Sequence, residues 1–224
     1  MALISALLRD LDPTGKVSSL EQQFQLASLI TSASARGTRP GAPEQFLTPL
    51  VVRLFVERSV KLQAEGRALE ALPSSVPEAY FDFLRGVNPR DSSKPNFFSD
   101  EDMLRAARVL AVACLGESYV PGEIDSELAR RVLMDAGWYG ADKRDPIERL
   151  KSNGILVQRS LGSRYRLSFA LDPVAEYLVA DELVEKNFDS AAQLKALLKE
   201  VKRRRAAAGF LSALNITIRA RQTE

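Results

Sequence analysis

The chain of 224 residues contains no histidine. That absence removes the side chain most often used as a general base near neutral pH, and the commonest zinc ligand. A Ser-His-Asp triad, a Cys-His dyad and an H-E-x-x-H metal site are therefore all excluded. Cysteine is almost absent too. Cys114, inside the apolar run VLAVACL, stands alone, so no intrachain disulfide can form and a reducing compartment fits best. The thiol reads as a small buried hydrophobe. No apolar run approaches the roughly 20 residues of a membrane-spanning helix. The opening MALISALLRD lacks the basic leader and long apolar centre of a secretory signal, so the expected location is cytoplasmic, with no membrane partner.

An excess of one charge is also missing. Lys+Arg 31 against Asp+Glu 29 leaves +2, too balanced for nucleic acid or an anionic membrane to be the default partner. What is present is a hydrophobic fraction of 46%, enough to bury a core as one large domain or two small ones.

Helical spacing runs through the first part of the chain. Leu3, Ile4, Leu7 and Leu8 repeat at that spacing, as do Phe24, Leu26, Leu29 and Ile30 after the break LDPTGKVSS. The segment Ala33 to Pro43 is polar and punctuated by Gly37, Pro40 and Gly41, a surface loop before a third helix, FLTPLVVRLFVERSVKLQAEG, with Leu50, Leu54, Val56 and Val60 on its buried side. Pro77 suits the first turn of a fourth helix carrying Tyr80, Phe81 and Leu84. Asn88 to Asn96, reading NPRDSSKPN, is the candidate linker.

Beyond the linker the punctuation is denser. Ser99 with acidic residues after it is an N-cap for a helix from about Glu101 to Leu115. Ser126 to Ala136 forms a second helix closed by Gly137, after which Trp138-Tyr139 reads as a hydrophobic plug. Asp145 and Pro146 start a third, and Asn153-Gly154 stops it. Ile155 to Val157 and Tyr165 to Phe169 then form two strands about Leu161-Gly162-Ser163, the second with Tyr165, Leu167 and Phe169 on one side. Asp172-Pro173 repeats the cap-plus-proline start, and Ala191 to Ile218 is helical again. The expected fold is mainly α: a helical module over residues 1–95, a winged helix-turn-helix with a small two-stranded β wing over 96–188, and a helical segment over 189–224.

The stretch YRLSFALDPVAEYLVA, Tyr165 to Ala180, joins strand to helix in the pattern F-x-x-D-x-φ-x-E-Y-L-x-A, carried by Phe169, Asp172, Glu176, Tyr177, Leu178 and Ala180. It resembles the winged-helix segment of NACHT-type signalling ATPases, the STAND class. Phe46 to Val52 is similar to the x-P-L-φ-φ segment of the helical domain that follows the nucleotide-binding core in that family. The resemblance implies that Pro49 packs on the adenine base, and that Leu171 occupies the position where the family carries a phosphate-sensing histidine. It also implies a regulatory region that closes over bound ADP and swings away on activation, so that the ATPases form a homo-oligomer. Its partner would be a nucleotide-binding core in the same or another chain.

The phosphate loop itself is not here. G-x-x-x-x-G-K-[ST] lets backbone N–H groups approach the phosphates, but around Gly15-Lys16 the first glycine position is Asp10 and the Ser/Thr position is Val17. The expectation is thus a chain that is no enzyme and has no cofactor of its own, ATP or ADP belonging to a parent protein. It is either a piece from downstream of such a core or a core-less relative.

Other readings stay open. A DNA-binding winged helix would set the third helix in the major groove and Arg159, Arg164 and Arg166 on phosphates, although DPIERLKSNG places Asp145 and Glu148 beside Arg149 and Lys151. An interaction module of another kind is the third reading. Lys202, Arg203, Arg204 and Arg205, with Lys195 and Lys199 at helical spacing, read either as an exposed helix face or as an anion-binding stripe. Glu176 and Asp181 share one helix without a catalytic partner, and are expected to cap it or to pair with basic neighbours.

Overall fold

The computed structural model describes residues 2–12, 15, 19–35, 49–86, 99–138, 145–187 and 190–222. The expected linker from Asn88 to Asn96, most of the loop before Pro43, the residues Phe46 to Thr48, Lys16 with Val17, and Tyr139 lie outside them. The chain divides into two compact units, Met1–Phe83 with Arg219–Glu224, and Leu84–Ile218. Among the described residues there are ten α-helices and one small antiparallel sheet, and no helix is long and apolar enough to cross a membrane.

In the first unit, α1 (Ala2–Leu11), α2 (Leu20–Ala35) and α3 (Pro49–Ala64) pack together, followed by a 3-10 turn at Leu69–Ala71 and α4 (Val76–Gly86). Ile4 and Leu8 of α1 and Leu26 and Ile30 of α2 are buried as their spacing requires. Phe24 departs from expectation: it lies 62% exposed, because the spacing that puts an apolar residue near a stripe does not ensure that another element covers it. In α3 burial extends well beyond the expected stripe to Val51, Val52, Phe55 and Leu62, while Leu50 and Val60 are only half-buried. Ser59 tolerates this interior because its hydroxyl donates back to the Val56 carbonyl at 2.8 Å. Side-chain bonds tie the unit together, from Ser5 to Gln23 at 2.7 Å and from Gln25 to Glu70 at 3.0 Å.

The second unit is built on α5 (Asp100–Leu115), which lies along α8 (Asp172–Asn187). Ala106, Ala107 and Ala111 are buried on α5 and Ala175 and Ala180 on α8. Such small side chains permit close approach of two helix axes. Arg108 of α5 reaches the buried carboxylate of Asp181 on α8, and Glu185 at 3.7 Å. Asp181 thus pairs with a basic neighbour, as expected.

Between those helices come β1 (Ile124–Asp125), α6 (Ser126–Asp135), α7 (Pro146–Ser152), β2 (Leu156–Leu161) and β3 (Arg164–Phe169), with strand order β1-β3-β2. The capping signals hold. Ser99 accepts from the Asp102 N–H at 3.0 Å, and Asp145 from Ile147 at 2.9 Å with Pro146 in the first turn. Gly154 takes φ 69°, the left-handed stop that favours glycine. One correction follows. The sheet has three strands, not two, since β1 pairs Ile124 with Leu167 and Asp125 with Arg166. Two residues are too few to show an alternation. The helical stretch expected from Ala191 to Ile218 comprises two helices, α9 (Ala191–Lys202) and α10 (Ala208–Gln222), separated by a 3-10 turn at Arg205–Ala207.

Candidate functional site: the motif helix and its neighbours

The stretch from Phe169 to Ala180 crosses from the sheet into the core. Phe169 ends β3 opposite Leu156 and is buried. The next N–H, of Ala170, donates to the Ile155 carbonyl at 2.9 Å, which ties the turn to the start of the other strand. Leu171 is half-buried, and its carbonyl accepts from Val174 at 3.0 Å as α8 begins. Asp172 falls in the first helical turn, where a carboxylate suits the positive end of the helix. Tyr177, Leu178 and Ala180 are all buried. Pro49 belongs to the first unit, where it is the exposed first residue of α3, and Leu171 to the second.

Glu176 behaves differently from its neighbours. Capping or ion pairing was the expectation, yet its carboxylate has no hydrogen bond or ion pair with a described residue. It lies against Gly209 in the first turn of α10, so closely that a Cβ at position 209 would collide with the carboxyl group. Burial pushes the Glu176 carboxyl up to about 7, and the charge of Asp172 one turn away adds to the rise. A helix N-terminus would favour the ionised form, but here desolvation wins. This arrangement can couple the protonation of one carboxyl to the packing of α8 against α10.

The basic run near the C-terminus is not one continuous stripe. Lys202 closes α9, and Arg203 and Arg204 follow it; the side chain of Arg205 lies outside the described residues. Lys202 and Arg203 are exposed. Arg204 is engaged: its guanidinium sits 5.6 Å from the centre of the Tyr119 ring and 3.6 Å from Glu200. The same Tyr119 ring stacks on Phe210 with centroids 5.1 Å apart, and its hydroxyl donates to Glu200 at 3.3 Å. Burial, then the Glu200 charge, raises the Tyr119 phenol above its ordinary range. Arg204, though exposed, thus spends part of its guanidinium on Tyr119 and Glu200.

Sequence reasoning missed Tyr119, Gly209 and Phe210. Gly209, in the helical run AAAGF, carried the one available signal, because a glycine inside a helical pattern often marks close approach of another group. On the hairpin, Arg159 is drawn to Glu123 at 3.4 Å. Trp138 follows α6, its backbone N–H donating to the Leu133 carbonyl at 2.9 Å, and Arg105 lies over its ring at 5.0 Å. No protein-family model, curated protein or solved structure matches this chain.

Proposed function

We propose that this chain is a non-catalytic regulatory region of a NACHT-type (STAND) signalling NTPase, with its second unit acting as a winged helix that closes over a nucleotide site. One observation carries the reading: the connectivity α5-β1-α6-α7-β2-β3 with sheet order β1-β3-β2, leading directly into the motif helix α8. A hairpin wing beside a stack of three helices is the frame in which the E-Y-L-x-A helix occurs in that family. In this reading ATP or ADP binds the core of the parent protein, in the same or another chain, and this chain carries no cofactor and turns nothing over. Release of the region on activation lets the cores form a homo-oligomer in the cytoplasm.

A second reading, a DNA-binding winged helix, draws support from the exposed Arg164 on the hairpin. Against it, Lys151 of α7, the helix that would enter the groove, is paired with Glu148 at 2.8 Å. Both readings are tested by titrating the purified chain, by calorimetry, with ADP, with a NACHT core loaded with ADP or with ATP, and with duplex DNA over a range of salt. The expected result is no heat with ADP alone, association with the ADP-loaded core, and weaker association with the ATP-loaded one. Nanomolar DNA binding without nucleotide-dependent association would establish the second reading instead.

A further inference from the structure

We infer that the cleft between the start of α6 and the outer end of the hairpin binds the phosphate group of a small phosphorylated molecule. The cleft has a volume of about 500 Å3, within the ~300–1,000 Å3 usual for small-ligand sites. Three arginines line it, Arg131 from α6 and Arg164 and Arg166 from β3. Several other cations in this unit stand beside carboxylates: Arg130 lies 3.8 Å from Asp145, Lys186 2.8 Å from Glu182 and Arg159 3.4 Å from Glu123. Arg131, Arg164 and Arg166 form no ion pair or hydrogen bond with a described residue. Asp125 and Glu127 also border the cleft and offset part of that positive charge, the Asp125 carboxylate serving as well as the α6 cap by accepting from the Glu127 N–H at 3.0 Å. Across the ladder Arg166 faces Arg159 on one side and Asp125 on the other.

A separate observation points the same way. Ser126 borders the cleft, and its hydroxyl is buried just beneath the surface with no hydrogen-bond partner. Native proteins rarely leave a buried hydroxyl unpaired, and a rotamer change that turned it into the cleft would let a phosphate oxygen accept from it. Guanidinium forks match phosphate oxygens in pairs. Leu128 and Tyr165, the latter 55% exposed, also line the cleft. Their apolar surface suits an organic phosphate ester better than free phosphate.

This inference stands apart from the regulatory reading, and its test uses the whole chain. Calorimetric titration at low salt with phenyl phosphate and with inorganic phosphate should show binding of both, the ester roughly tenfold tighter. Arg131→Gln and Arg164→Gln should each weaken both ligands by about tenfold, Tyr165→Ser should weaken the ester alone, and Lys202→Gln with Arg203→Gln should change neither. Thermal melts would confirm that these surface variants fold. Ser126→Ala should raise the melting temperature of the free chain while lowering affinity, a combination that a purely structural serine would not give. Equal affinity for the two ligands would assign the site to free phosphate and refute the ester. Absence of binding, affinity indifferent to the cleft arginines, or nanomolar duplex binding that phenyl phosphate cannot displace would overturn the proposal.

Discussion

Along β3 one apolar alternation runs from the root of the hairpin to its outer end, and the two ends meet opposite fates. At the root, Leu167 and Phe169 are buried with Leu156 of β2; at the outer end, on the same face, Tyr165 is 55% exposed. Alternation fixes which face a side chain joins. Whether that face is covered depends on what lies beneath it. At the root β1 adds a third strand through the Ile124–Leu167 pair, but β1 is only two residues long, so the outer end extends beyond it. The root is therefore structural, and the outer end is left to border a cleft.

The sharpest way to break this contrast is to charge the root. Leu167→Asp should cost about 3–5 kcal/mol, read as a fall in the urea midpoint or as loss of cooperative unfolding. If it is tolerated as well as a change at the outer end, the contrast is false.

Next in size is a pH effect at Glu176, on the helix that the root feeds. Its folded value of about 7 lies above the ordinary 4.5, so the fold favours the neutral form. The associated stability is fully present below pH ~4.5, drains as pH rises towards 7, and is gone above that. A shift of this size corresponds to about 3 kcal/mol, reduced to about 1–2 because the group is partly exposed. Glu176→Gln stays neutral throughout. Measured against it, the natural chain should lose that amount between pH 4.5 and 7.5, and parallel stability curves would refute the coupling.

Asp145→Ala removes the α7 cap just ahead of the root and should cost about 1 kcal/mol in denaturant midpoint. The smallest effect belongs to the outer end. Tyr165→Asp should shift stability by no more than about 0.5 kcal/mol. A loss comparable to that of Leu167→Asp would show that the ring is covered after all.

Features set by neighbours in sequence were legible in advance. Ser99, Asp145, Pro146 and Gly154 mark helix ends because a cap or a left-handed stop is a local requirement. Contacts between distant segments were not. Nothing near Tyr119 announces Phe210, and nothing in D-P-V-A-E announces Gly209. The helix carrying Glu176 was legible from its sequence pattern, but the environment of its residues was not. Glu176 looks like any surface glutamate until α10 lies across it. Phe24 marks the converse limit, an apolar residue in register with a buried stripe and still facing water.

One feature of α5 reaches beyond packing. Cys114 is the chain's sole thiol, is buried, and has its titration pushed up to about 12 by that burial. Thiolate is the species that alkylating reagents attack, so in the closed protein at neutral pH there is almost nothing for them to find. Each labelled molecule then records a moment when the second unit had come apart around α5. The cysteine is in effect a built-in clock: labelling kinetics would report how often that core opens, without a probe being introduced and without disturbing any residue of the cleft or of the motif helix.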